Sequence, residues 1–240
     1  MHSSQLHYLP LSLPFFAALV LIFLALVAWI EIRALHYAFT RLGISSRAAI
    51  LLLFGSLIGA YINIPIGTFP GQHVLSGEDV DFFGMRYHVP LVVEWPGTVI
   101  AVNVGGCVIP VALSLYLLIR HDLWIRGLLA TACVAAICHY LAYPVPGVGI
   151  AVPVFVPPIA TAIVSLLISR YYAAPLAYIS GSLGTLIGAD LLNLDKVQGL
   201  GAPVASIGGA GTFDGIFVTG VLAVLLASFV SPQAPRPVGA

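Results

Sequence analysis

The stretch that decides the fold is 13–30, LPFFAALVLIFLALVAWI, which holds eighteen residues and no charged side chain. About 20 mostly apolar residues in a helix cross the hydrocarbon core of a bilayer. Residues 1–10 contain no Lys or Arg, so the charged start of a secretory signal peptide is missing. We therefore predict that 13–31 is the first transmembrane helix.

The composition of the whole chain agrees with a lipid environment. Of its 240 residues, 60% are hydrophobic and 8% are charged, whereas an ordinary soluble domain carries about 25% charged residues. So few charges cannot cover a water-facing surface, and the lipid bilayer is the expected partner. The net charge is zero and there is no basic run, which argues against binding of nucleic acid.

Six further apolar stretches are long enough to be spans. The predicted set is 13–31, 48–64, 97–119, 127–143, 150–169, 175–192 and 213–230. The expected fold class is all-α, a polytopic bundle of about seven transmembrane helices in one integral-membrane domain, 1–230. A polar outer loop, 67–96, contains the strand-like string GMRYHVPLVVEW, which favours a hairpin. Residues 231–240 are typical of a disordered tail.

The distribution of positive charge predicts the orientation. With the N-terminus outside, seven Lys or Arg residues lie on the inner side and two lie outside. The inner ones are Arg33, Arg41, Arg47, Arg120, Arg126, Arg170 and Arg236, and the outer ones are Arg86 and Lys196. This bias favours a multi-pass protein of the cell membrane with its N-terminus out and its C-terminus in.

Two aspartates stand out among the apolar segments. Asp190 ends the predicted sixth helix in GTLIGADLLNL (184–194), and Asp214 begins the seventh in SIGGAGTFDGIF (206–217). Acidic side chains at membrane depth are costly and mark functional sites by default. If these helices are antiparallel neighbours, both carboxylates lie near the outer face, and a close pair shares one proton. They are the candidate catalytic or ion-binding pair.

Each aspartate also has a structural interpretation. Asp214 or Thr212 at the start of a helix can cap free backbone N–H groups. Asp190 lies near a helix end where the dipole disfavours an anion, so it needs a cation, a shared proton or water. Lys196 is one candidate cation. An acid that simply reaches the outer water remains the alternative.

Glycines surround both aspartates. Gly188, Gly208, Gly209, Gly211 and Gly215 give the backbone freedom to turn or to re-enter the membrane. N–H groups exposed at such a break can hold an anion. The alternative is a flexible loop without a ligand.

A second polar group lies on the predicted helices 2, 3 and 6. Its members are Asn63, Asn103, Gly105, Gly106, Pro110 and Asn193. Pro110 is expected to kink helix 3, and Asn63 and Asn103 can pair across helices 2 and 3. Two interpretations stay open, packing between helices and the lining of a solute path.

No motif indicates a metal or an organic cofactor. The outer-loop residues His73, Glu78, Asp79, Asp81 and His88 match no known ligand spacing. We therefore predict no metal and no cofactor.

Two pairs of strings favour two interpretations, a faint parallel repeat or chance matches of small residues in a membrane chain. GSLIGAYINI (55–64) is similar to GTLIGADLLNL (184–194), and VNVGGCVIP (102–110) is similar to ASIGGAGTF (205–213). Such repeats occur in transporters.

Gly181, Gly184 and Gly188 form a small-residue face on the predicted helix 6. This face allows close helix contact, within the chain or in a homo-oligomer.

The chain resembles the domain of unknown function 1614, a family of bacterial and archaeal multi-pass membrane proteins, in four strings. These are INIPIG (62–67), VNVGGCVIPVALSLYLL (102–118), GTLIGADLLNL (184–194) and SIGGAGTFDGIFVTGVLAVLLA (206–227). The resemblance covers about 50–228 and implies an integral membrane protein. The family brings no established activity.

The two-aspartate layout is similar, more weakly, to that of the intramembrane aspartyl proteases of the presenilin group. Their Gly-x-Gly-Asp motif is not met, because two residues separate Gly211 from Asp214. Ala189 stands where those proteases have a tyrosine. Three functions therefore remain: a small-solute or proton- or cation-linked transporter or channel, which is slightly favoured, a di-aspartyl hydrolase, and a structural or assembly subunit.

Overall fold

Seven α-helices and seven strands make up the described part of the chain. The computed structural model describes residues 13–82, 85–95, 97–145, 149–198, 200, 202–209 and 215–231. The helices are α1 Leu13–Arg41, α2 Ser46–Gly59, α3 Ile109–His121, α4 Trp124–Leu141, α5 Val156–Ile168, α6 Ala173–Thr185 and α7 Gly215–Val230. The strands are β1 Asn63–Phe69, β2 Gln72–Phe82, β3 Met85–Trp95, β4 Thr98–Asn103, β5 Tyr143–Val145, β6 Gly149–Ala151 and β7 Val204–Ile207.

Four helices are long and apolar enough to cross a membrane. They are Pro14–Arg41, Val104–His121, Trp124–Leu141 and Ala173–Val197, in which helical segments next to α3 and α6 are counted with them. Three apolar helices are shorter, Ser46–Gly59, Val156–Ile168 and Val218–Val230. These lengths indicate a multi-pass membrane protein, as the composition predicts.

Helix α6 lies at the centre of the bundle, between α3, α4, α5 and α7. Twelve of its thirteen residues are buried. A Cβ added at Gly181 would lie 3.1 Å from the Cα of Gly220 on α7, and one added at Gly184 would lie 2.7 Å from the Cβ of Val134 on α4. The small-residue face of α6 is therefore used for packing within the chain.

The prediction of an all-α fold was wrong in one respect, because a three-stranded sheet is present. Its order is β1-β4-β7, with β1 antiparallel and β7 parallel to β4. Strand β4 takes the first residues of the predicted span 97–119, and α2 ends at Gly59 rather than at 64. Hydropathy does not distinguish a buried strand from a helix in a short apolar run, and TVIAVN is rich in β-branched residues.

The structure places Pro110 at the junction of two helical segments. A π-helical turn, Val104–Val108, follows β4, and α3 begins at Ile109 with the proline in its first turn. The two segments run on as one helix, since the Ile109 N–H donates to the carbonyl of Val104. A kink at Pro110 stays a prediction.

The predicted hairpin in the outer loop is confirmed. Strands β2 and β3 pair antiparallel from Gln72↔Trp95 to Phe82↔Met85. A shorter hairpin joins β5 to β6, and the sheet follows α2 in the chain.

The end of the bundle away from the strands holds the ends of α1 and α7. There the Arg41 guanidinium donates to the carbonyl of Ser231 at 2.8 Å. The positive-inside prediction places the strands outside.

The strands of the two predicted repeat units lie side by side. Register pairs run from Val99↔Val204 to Val102↔Ile207, in parallel. Each strand is followed by a glycine pair, Gly105-Gly106 after β4 and Gly208-Gly209 after β7. Both glycine pairs therefore leave the same edge of the sheet in the same direction.

Candidate functional site

Asp190 ends a π-helical extension of α6, Leu186–Asp190, and a 3₁₀ helix, Leu191–Val197, follows. Such π-helical turns occur frequently at functional sites. The side chain is half-buried, and its Oδ2 accepts a hydrogen bond from the backbone N–H of Gly208 at 2.8 Å. Asp190 therefore joins the end of α6 to the turn after β7.

The turn that holds this carboxylate needs glycine. Gly208 has a φ of +95° and Gly209 a φ of +79°. A Cβ at Gly208 would also lie 2.7 Å from the Cβ and the backbone nitrogen of Cys107. Glycine N–H groups near this break were predicted to hold an anion, and the one at Gly208 holds the carboxylate of Asp190.

Lys196 does not act as the cation for Asp190. Its Nζ donates to Oδ1 of Asn193 at 2.7 Å. The Asn193 amide is fully buried and donates to the carbonyls of Gly188 at 2.8 Å and Ala189 at 3.0 Å. Asn193 therefore satisfies carbonyl groups at the end of the π-helical turn, and the described residues contain no ion pair with Asp190.

A cavity of about 490 Å³ lies beside Asp190. Four segments form its walls: β6 with the residues that lead into α5, the end of α6 with the π-helical and 3₁₀ segments that follow it, β7 with the turn after it, and the start of α7. Its polar side chains are Asp190, Thr185, Ser206 and Thr219. The other described wall residues are glycine or apolar. The cavity is thus an apolar chamber with one carboxylate and three hydroxyl groups.

The predicted pairing of Asn63 with Asn103 is confirmed, although the pair joins β1 to β4 instead of two helices. Asn103 is 1% exposed, and its Nδ2 donates to the carbonyl of Ala60 at 2.8 Å and to Oδ1 of Asn63 at 3.1 Å. Its Oδ1 accepts from the N–H of Gly106 at 2.8 Å. Asn63 also lies 2.6 Å from the Ser206 hydroxyl, so the network reaches β7.

The structure brings only some of the predicted site residues together. Asp190, Gly209 and Gly215 line the cavity, and Gly208 binds Asp190. The remaining described candidates, Asn63, Asn103, Gly105, Gly106, Pro110, Gly188 and Asn193, are not among the wall residues found in the described ranges. Gly211, Thr212 and Asp214 lie outside the described residues. A pathway role for the asparagines stays a prediction.

Three polar wall residues were not predicted from the sequence, namely Thr185, Ser206 and Thr219. Hydroxyl residues are common in membrane helices and usually bond to their own backbone. Proximity in the sequence could have indicated two of them. Thr185 lies in the string 184–194 with Asp190, and Ser206 lies in the string 206–217 with the glycine pair.

Two substitutions of Asp190 separate its tether from its charge. Asp190→Ala leaves the Gly208 N–H without a partner, and we expect the free energy of unfolding to fall by about 1–3 kcal/mol. Asp190→Asn retains an oxygen that accepts the same bond and removes the charge, so its stability should stay near wild type. Thermal unfolding of the purified protein in detergent measures both. Equal losses for the two variants would show that the Gly208 bond is not what Asp190 contributes.

One of the comparisons with known proteins finds a match. Residues 57–226, well over half of the chain, match the family model described as a protein of unknown function, DUF1614. No curated protein and no solved structure matches. The resemblance carried by the four strings is thereby confirmed, and the chain belongs to the DUF1614 family of proteins of unknown function.

Proposed function

We propose that the chain is a transporter or channel of the cell membrane that admits a small solute to the cavity beside Asp190. The cavity itself carries the proposal. About 490 Å³ falls in the range of small-molecule sites, about 300–1,000 Å³. An ionisable side chain among membrane helices is most often part of a solute or ion path.

Buried hydroxyl groups continue from the cavity along the α5–α6 interface. Thr161 lies one turn beyond the wall residue Pro157 on α5, and Ser165 lies one turn further. The Ser165 hydroxyl lies 3.3 Å from that of Ser180 on α6. Oγ1 of Thr161 is buried without a hydrogen-bond partner in the described ranges.

The link to protons or cations rests on the acidic residues. The bond from Gly208 ties Asp190 to the turn after β7 and leaves its charge without a counter-ion among the described residues. The second carboxylate of the proposal is Asp214. It precedes the wall residue Gly215 in the sequence, and its pairing with Asp190 is part of the proposal.

Access to the cavity from both sides of the membrane tests the proposal. Cys107, Cys133 and Cys138 are first replaced by alanine, and Val218, a half-buried wall residue of α7, is replaced by cysteine. A membrane-impermeant thiol reagent is then applied to intact cells and to inverted membrane vesicles. We expect labelling in both preparations, because a transported solute must reach the site from one side and leave on the other.

Ala223→Cys provides the matched control. Ala223 lies on the same helix and is fully buried outside the cavity wall, so it should stay unlabelled in both preparations. Labelling of Val218→Cys from one side only would overturn transport and leave a one-sided binding site. No labelling from either side would overturn solute access altogether.

A further inference from the structure

The charge balance of the cavity indicates which solute it binds. Asp190 is the one ionisable side chain among the described wall residues, and a pair with Asp214 that shares one proton also carries a single negative charge. A carboxylate removed from water is costly unless a positive charge or several hydrogen bonds compensate it. The described structure supplies Asp190 with one hydrogen bond, from Gly208. A second carboxylate oxygen is therefore left for a ligand.

Two of the described cations have other partners. Lys196 binds Asn193, and Arg41 binds the end of α7 on the opposite side of the bundle. No described salt bridge reaches Asp190. A positive charge that enters with the solute would complete the site.

The remainder of the wall disfavours a bare metal ion. Ca²⁺ takes about six to eight oxygen ligands and Mg²⁺ takes about six, and the described residues contain no group of three His, Cys, Asp or Glu side chains that could hold a metal. Much of the wall is aliphatic, with Ile150, Val152, Leu194 and Ile216 among its members. Such a wall stabilises the apolar part of an organic ligand.

We infer that the cavity binds a small organic monocation, an amine whose ammonium group pairs with Asp190 and whose apolar part contacts the aliphatic wall. The inference rests on the proposed function, because it names the solute of the same cavity. The ammonium N–H groups donate to the Asp190 carboxylate, and Thr185 and Thr219 supply hydroxyl oxygens in the same wall.

Three probes of similar shape and different charge test this inference: benzylamine, benzyl alcohol and benzoate. Isothermal titration calorimetry on the full chain in lipid nanodiscs measures their affinities, and empty nanodiscs correct for partition into lipid. We expect benzylamine to bind at least about tenfold more tightly than the other two. Asp190→Asn should remove that advantage.

Asp195→Asn is the matched control. Asp195 lies on the 3₁₀ helix that follows Asp190, is exposed and does not line the cavity. Its substitution should leave all three affinities unchanged.

The outcomes separate this inference from the proposed function. Equal affinities for benzylamine and benzyl alcohol, or unchanged benzylamine binding in Asp190→Asn, would overturn the cation inference and leave a site for neutral solutes. Absence of binding by all three probes would also overturn it. In each case the Val218→Cys labelling decides independently whether the cavity opens to both sides.

Discussion

Replacing Gly105 by alanine is expected to prevent the π-helical turn after β4 from docking on the end of α2. A Cβ at this position would lie 2.1 Å from the carbonyl oxygen of Ser56 and 2.4 Å from the backbone nitrogen of Ala60. Both atoms belong to the backbone, so no side-chain rotation relieves the clash. Overpacking of this kind costs about 1–3 kcal/mol, and more where the backbone cannot shift. We expect a loss of about 3 kcal/mol or more, measured by unfolding in detergent and by the monodisperse fraction in gel filtration.

Gly55→Ala, on α2 itself, is the control. A Cβ there would lie 3.6 Å from Cδ1 of Ile109, which is an ordinary contact. Because alanine favours the helix more than glycine, this variant should be as stable as wild type or slightly more stable. If Gly105→Ala and Gly55→Ala had the same stability, the close approach of the π-helical turn to α2 would be refuted.

Hydropathy predicted the helical part of the fold well and the sheet poorly. The predicted spans 127–143 and 213–230 agree with α4 and α7 to within a few residues at each end. Apolar patterning detects contact with lipid or with the core, and it is silent about backbone conformation in a run as short as Thr98–Asn103. The sheet forms through pairing between segments over 100 residues apart, such as Val99 and Val204, and no local pattern encodes such pairing.

The candidate site, like the fold, was predictable from the sequence only in part. Composition was enough to single out Asp190, since acids are rare in apolar segments. Its partner was not predictable in the same way, because the donor is a backbone N–H at Gly208 rather than a charged side chain. Every residue except proline carries that group, and only the three-dimensional turn aims it at Asp190. The cavity likewise depends on how four separate segments meet.

The two asparagines show how a correct pair can come from wrong elements. Their pairing was predicted across two helices because amides in an apolar chain seek each other. In the structure Asn63 and Asn103 face each other on β1 and β4. The same network reaches Ser206, a wall residue of the cavity. The two asparagines therefore pack the sheet together and contact a wall residue of the cavity, but they do not line the cavity themselves.

Asn103→Ala is expected to be the most destabilising polar substitution in this network. It removes the hydrogen-bond partners of the Gly106 N–H and the Ala60 carbonyl and one partner of the Asn63 Oδ1. Leaving a buried polar group unsatisfied costs about 1–3 kcal/mol, so two such groups predict a loss of about 2–6 kcal/mol. Unfolding of the purified variant in detergent measures this loss.

Asn63→Ala separates the buried amide from the exposed one. Asn63 is exposed, so water can satisfy the groups that it leaves, and its loss should stay below about 1 kcal/mol. Ser206 keeps a second acceptor, the carbonyl of Gly209 at 2.6 Å, so the cavity wall should survive in this variant. If Asn63→Ala lost as much stability as Asn103→Ala, the stabilisation would come from the hydrogen bond between Asn63 and Ser206 on β7. The hydrogen bonds of Asn103 to Ala60 and Gly106 would then contribute little.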